Sequence, residues 1–231
     1  DSGCPQPCLV KLNLCNGFAF FVRLIAREEP PGMPEKNSGN HAGSRLGGLA
    51  EMVKQSAATG HPPVESWNPP YCGDIGLAIL ADGTWTYLGS PIARPALVKL
   101  FASVLRKDAD GKTYLVTPEE KVDVAVADAP FLAVEMEVLG SPPHQELVFK
   151  TNVDDVVTCG PEHPLRFAVD DRTGAIKPYL RVRGRLDALI TRALTHQLLD
   201  LAVTTEPVGV RSGGLLFLIP DAGPSAELGR V

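Results

Sequence analysis

The segment Tyr179-Leu180-Arg181-Val182-Arg183-Gly184 reads as a strand closed by glycine, with a helical stripe and a last strand behind it. Leu186, Leu189, Ile190, Ala193, Leu194, Leu198 and Leu201 form the stripe, and the strand over 215–219 stops at Pro220. The same order occurs earlier: Trp85-Thr86-Tyr87-Leu88, then Gly89, a helix near 95–106, a strand near 114–117 and Pro118. In that copy Pro95 suits the first helical turn, and Leu97, Val98, Leu100, Phe101, Val104 and Leu105 make the stripe. Recurrence of one supersecondary unit predicts duplication. The expected fold is α+β, two repeated strand–helix–strand subdomains with mostly antiparallel sheets.

Working outward, Ile75, Leu77 and Ile79 alternate with smaller residues, and Asp82-Gly83 marks a hairpin into Trp85 and Tyr87. Val122, Val124 and Val126 alternate in the same way. Further on, Leu132, Val134, Met136 and Val138 face one side and Glu135 and Glu137 the other, as in half-buried antiparallel strands. Short strands are expected over 147–149, 156–158, 165–169 and 179–182, with Thr173-Gly174 as a turn before the last.

Upstream, Leu46, Leu49, Met52 and Val53 predict a helix over 45–57, followed by a proline-rich linker that stays extended. Residues 1–32 change texture at Met33 and read as an extraneous or disordered extension, or else as a short apolar anchor over 9–26 interrupted by Lys11 and Arg23. The expected organisation is that extension, a helix and linker over 33–61, repeats over 62–127 and 128–220, and a disordered tail over 221–231.

Apolar residues make up 44% of the 231 and charged ones 21%, which excludes wholesale disorder. A net charge of −5 argues against a non-specific nucleic-acid binder, whose affinity comes from cations neutralising phosphates. Cys4, Cys8, Cys15, Cys72 and Cys159 lack paired zinc spacing and read as thiols in a reducing compartment, so the expected location is cytoplasmic. No membrane partner, metal or cofactor is expected.

Catalytic signatures are missing. There is no Gly-x-Ser-x-Gly elbow, no Walker loop, and the five histidines are scattered. Asp108, Asp110 and Glu119 mimic a calcium loop, but Lys112 stands where a ligand is needed and Thr113 where glycine is needed, so a helix-to-strand turn is the reading. Nothing basic lies near Cys72 in sequence to activate it. The suggestive group is basic. By alternation Tyr179, Arg181 and Arg183 share one strand face, with Arg185 and Arg192 following, and guanidiniums bind phosphate and carboxylate as forks. The plain alternative is a solvated face paired with Asp170, Asp171 or Asp187. Arg94, beside a helix start, would add charge where the helix N-terminus already favours anions.

Trp67-Asn68-Pro69-Pro70-Tyr71-Cys72-Gly73-Asp74-Ile75 and Asp82-Gly83-Thr84-Trp85-Thr86-Tyr87-x-x-Ser90-Pro91-Ile92-x-Arg94 carry a resemblance. With them go Tyr114-Leu115-Val116-Thr117-Pro118-x-Glu120-Lys121, Asp128-Ala129-Pro130-Phe131, Thr151-Asn152 and Tyr179-x-x-Val182-Arg183. In order, over about residues 62–220, they resemble the bacterial family catalogued as domain of unknown function 1285. The resemblance implies a duplicated core, a second half like pleckstrin-homology folds, and a nucleotide-like ligand held between the repeats, with a role in signal transduction.

Three readings stand. In the first, a small anionic ligand is contacted by Arg94, Lys121, Asn152, Arg181 and Arg183. In the second, the protein is an enzyme of unrecognised class using Asp74, Glu120 and Asp128. In the third, it is a protein-interaction module built on a strand edge or apolar patch.

Overall fold

The structure is a computed structural model, and it describes residues 61–170, 172–203 and 207–220. The expected N-terminal extension, the helix over 45–57 and the C-terminal tail lie outside these residues. The described chain falls into two units: His61–Leu80 with Thr84–Ala125, and Ala81–Gly83 with the chain from Val126 onward.

In the first unit a 3-10 turn (Val64–Ser66) leads to β1 (Tyr71–Ile79), β2 (Trp85–Tyr87) and β3 (Ser90–Pro91). Helix α1 (Pro95–Ser103), β4 (Leu105–Lys107), β5 (Thr113–Val116) and β6 (Lys121–Val126) complete it. The sheet order is β3-β2-β1-β6-β5-β4. The Asp82-Gly83 turn pairs Ile79 with Trp85 and Leu77 with Tyr87. Alternation then buries Leu77, Ile79 and Trp85, and the Trp85 ring lies 6.2 Å from Phe101 of α1.

The helix ends earlier than its apolar stripe suggests. Val104 and Leu105 leave it because Leu105 pairs with Leu115 in the sheet, so the turn over 108–111 joins two strands, not a helix and a strand. Leu100, placed on the stripe, is exposed.

In the second unit the strands are β7 (Phe131–Leu139), β8 (Glu146–Thr151), β9 (Val156–Thr158), β10 (Leu165–Val169), β11 (Ile176–Arg183) and β12 (Leu186–Ile190). Helix α2 (Arg192–Asp200) and the hairpin β13 (Gly209–Ser212)–β14 (Leu215–Leu218) follow. The main sheet runs β10-β11-β12-β7-β8-β9, and β13–β14 is a sheet of its own. β12 and β7 pair in parallel, the other neighbours in antiparallel.

Two corrections arise here. Leu186, Leu189 and Ile190 fit a helical spacing, but Leu186–Ile190 is a strand: Gly184 (φ 48°) turns the chain back within two residues, so Arg183 stands opposite Leu186. Leu186, Ala188 and Ile190 are then buried by period two. On β7 the buried residues are Phe131 and Ala133, while Val134 and Val138 are exposed. A register shift between Ala133 and Glu135 breaks the alternation that placed all four apolar side chains inward.

The repeat stands. Each unit has a hairpin turned over two residues at Leu88-Gly89 or Gly184-Arg185. A nine-residue helix and a second hairpin follow in each. The copies differ in where that second hairpin goes: β4–β5 joins its main sheet through β6, whereas β13–β14 does not. A two-stranded hairpin is marginal alone, and this one is pinned. Ser212 Oγ accepts from Leu147 N–H (2.9 Å) and donates to Cys159 C=O (2.7 Å), while Gln145 Nε2 donates to Arg211 C=O.

Candidate functional site

The first unit carries a polar network on one sheet face. Arg106, Tyr114 and Asp123 stand directly opposite one another on β4, β5 and β6, so their side chains share that face. Arg106 is buried, donates to Val64 C=O and Trp67 C=O at 2.7 Å each, and forks onto Asp108. It thereby ties the proline-rich segment to β4. Lys121 Nζ pairs with Asp108 at 3.1 Å and lies 4.4 Å from the centre of the Tyr114 ring. The Tyr114 hydroxyl donates to Asp110 (2.5 Å), and Tyr71 donates to Asp123. Burial works to raise the Asp108 pKa, but hydrogen bonds from Arg106 and Lys121 prevail and hold it low. Asp108 and Asp110 of the calcium-like set are thus consumed by local hydrogen bonds and ion pairs. Among the described residues no group of His, Cys, Asp or Glu stands together to hold a metal.

The second unit's network runs along β11. Arg166 stands opposite Tyr179, and Arg181 opposite Asp187, so Lys177, Tyr179, Arg181, Arg166 and Asp187 share one face. Lys177 Nζ bridges Asp128 (3.0 Å) and Asp170 (3.1 Å), and the Tyr179 hydroxyl donates to Asp128 (2.8 Å). The Asp170 carboxyl is held down at about 2, by the Lys177 ammonium first and then by Thr173. Burial, then the bond to Asp128, pushes Tyr179 up to about 12. Next along the strand, Arg181 Nε donates to Asp187 (2.5 Å) and its Nη1 to Gly184 C=O (2.9 Å). The Arg166 guanidinium carbon sits 4.4 Å from the centre of the Tyr179 ring, with Nη2 3.5 Å from Asp187.

The five residues expected to bind a ligand divide between the units. Arg94 precedes α1 as its N-cap, half-buried, and Lys121 is committed to Asp108. In the second unit Asn152 Oδ1 accepts from Leu132 N–H at 3.0 Å. Arg181 and Arg183 do not share a face. The register shift between them leaves Arg181 beside Asp187 and turns Arg183 to the side of Leu186, 5.0 Å from the centre of the buried Phe131 ring. There its Nη1 donates to Asp155 at 2.5 Å, both side chains mostly buried. The plain alternative, an arginine paired with Asp187, is what Arg181 does. Arg166 and Arg106 carried no signal of their own, because each acquires its role from a cross-strand partner.

Of the carboxylates named for catalysis, Asp74 accepts from Gly76 N–H (2.7 Å) in a local turn, and Asp128 is held by Tyr179 and Lys177. Glu120 is different: it is buried, and one carboxylate oxygen has no hydrogen-bond partner. Burial, then the charge of Glu119, raises its pKa. A carboxyl whose folded pKa is raised favours folding when protonated. That contribution is lost as pH rises from the ordinary carboxylate range through the folded value. Glu120→Gln is therefore expected to raise the melting temperature at pH 7 and flatten its decline between weakly acidic and neutral pH. Lower stability of the variant at pH 7 would refute this account. Cys159 is buried, and that burial pushes its thiol up to about 12, so it is no nucleophile at neutral pH. Among the described residues no helix is long and apolar enough to cross a membrane.

Residues 62–129 match the family model "Domain of unknown function (DUF1285), N-terminal domain", and residues 130–219 match "Protein of unknown function (DUF1285), C-terminal domain". Among solved structures, a DUF1285 family protein from Silicibacter pomeroyi DSS-3 is 44% identical, covering 73% of this chain and 93% of that one, with a TM-score of 0.67. A DUF1285 family protein from Shewanella baltica OS155 is 31% identical over 54% of this chain and 91% of that one, with a TM-score of 0.43. No curated protein matches. With both halves matched in order and the repeat visible in the fold, this chain belongs to the DUF1285 family.

Proposed function

We propose that the protein is a binding module for a small anionic ligand and not a catalyst. One observation carries the reading: on the outward face of β10–β12 two guanidiniums, Arg166 and Arg181, share the single carboxylate of Asp187. That trio keeps one positive charge and unused N–H donors, which suits an oxyanion. In its finer form the reading takes a nucleotide-like anion as ligand and signal transduction as context, with Arg94, Lys121, Asn152 and Arg183 as further contacts. Lys121 and Arg183 would then have to leave Asp108 and Asp155, which favours Arg181 as the first contact.

The test is thermal-shift screening of the full chain against nucleotides and simple oxyanions at millimolar concentration, at constant ionic strength. A ligand that binds only the folded state raises the melting temperature, by about 2.7 kcal/mol of added stability at a hundred times its Kd. A panel that leaves the melting temperature unmoved would sink the reading.

A further inference from the structure

The Arg166–Tyr179–Arg181 face offers more than charge, and its geometry narrows the chemistry of the ligand. We infer that Arg166, held over the Tyr179 ring beside Arg181, forms a carboxylate-binding site contained within the second unit. The inference rests on the anion-binding reading and adds a ligand class to it.

Arg166 is the most available cation of the face. Its side chain is 56% exposed, against 36% for Arg181 and 37% for Lys177. Among the described residues its guanidinium makes no hydrogen bond, only the 3.5 Å ion pair to Asp187 and the contact with Tyr179. Arg181 is fixed by two bonds, Nε to Asp187 and Nη1 to Gly184 C=O, which leaves Nη2 unused. One guanidinium is thus rigid and the other sits beside it with its donors unspent.

The ring sets the direction of approach. The Tyr179 ring, centred 4.4 Å from the guanidinium carbon, covers Arg166 on one side, and the N–H groups of a planar guanidinium lie in its own plane. Tyr179 is itself immobile: it is buried and its hydroxyl is tied to Asp128. An acceptor must come in edge-on, and a planar carboxylate does so with both oxygens at once. Charge points the same way. Two guanidiniums against Asp187 leave one net positive charge, and Lys177 beside them is already shared by Asp128 and Asp170. A monoanionic carboxylate balances that charge. A phosphate dianion would meet an uncompensated repulsion from Asp187.

Tyr179 is a positioning residue here, and Arg166 and Arg181 are the contacts. The experiment follows arginine Nε–H resonances of the full chain by NMR at neutral pH while sodium acetate or inorganic phosphate is added, with sodium chloride as the ionic-strength control. Acetate should shift the Arg166 and Arg181 signals saturably, and Arg166→Gln should weaken that binding about tenfold or more. Tyr179→Phe keeps the ring and should keep the affinity, whereas Lys107→Gln should change nothing. Tighter binding of phosphate than of acetate would overturn the ligand class. Acetate binding that survives Arg166→Gln but is lost in Arg94→Gln would overturn the site and leave the anion-binding reading in place. No saturable shift with acetate, phosphate or any nucleotide would overturn both.

Discussion

Replacing Arg183 with alanine is expected to cost about 3 kcal/mol of stability, because it strips a mostly buried carboxylate of its cation. Arg183 Nη1 and Asp155 Oδ2 are 2.5 Å apart, with 17% and 14% of their side chains exposed, and the guanidinium also lies against the buried Phe131 ring. Breaking such a pair from one side is costly, since Asp155 keeps its desolvation penalty and loses the interaction that offset it. The double change Arg183→Met with Asp155→Leu removes both charges and should recover most of the loss. Denaturant unfolding of the single and double variants measures both values. A single variant as stable as the parent would show that the ion pair contributes nothing and would return Arg183 to the pool of ligand contacts. The expected result removes it from that pool, leaving Arg181 and Arg166 as the arginines on the outward face.

Ser212→Ala should cost about 2–4 kcal/mol, although only one oxygen is lost. That oxygen serves two backbone groups 53 and 65 residues away in sequence, Cys159 C=O and Leu147 N–H, and Ser212 is fully buried. Each buried group left without a partner carries its own desolvation penalty of about 1–3 kcal/mol. The loss should appear first in the hairpin. Amide exchange of Val210 and Phe217, which face each other on β13 and β14, should speed up more than that of Leu180 in the main sheet. Equal acceleration everywhere would mean that the hairpin unfolds only with the whole unit. A Ser212→Thr variant separates the hydroxyl from the space around it: Thr keeps the oxygen, so retained stability there ties the effect to the hydrogen bonds.

Much of the fold is legible in the sequence because local signals agree. Asp82-Gly83 makes a hairpin wherever apolar alternation flanks it, and Ile79 does face Trp85. Gly89 and Gly184 each supply a backbone conformation that closes a two-residue turn, with φ of 80° and 48°. Those two turns are why the recurrence shows in the order of residues alone. The helix boundaries are less legible. Val104 and Leu105 satisfy a helical stripe and a strand equally well, and the pairing of Leu105 with Leu115 settles between them. The same ambiguity hides the strand Leu186–Ile190, whose apolar residues fit both periods.

The candidate site divides along the same line. That Tyr179 and Arg181 project together follows from the pleat of any strand, so the amino-acid sequence determined a basic, aromatic strand face with no need of neighbours. It also determined the duplicated order of elements, through turns and patterns that act over a few residues. Tertiary structure alone decided which charges meet. A register shift sends Arg183 to the buried side, an antiparallel pairing lays Arg166 over Tyr179, and the order β10-β11-β12 lets Asp187 meet Arg181 on the next strand and Arg166 on the one beyond. Those choices depend on which residues stand opposite across a sheet, and registry between strands is set by the packing of whole faces.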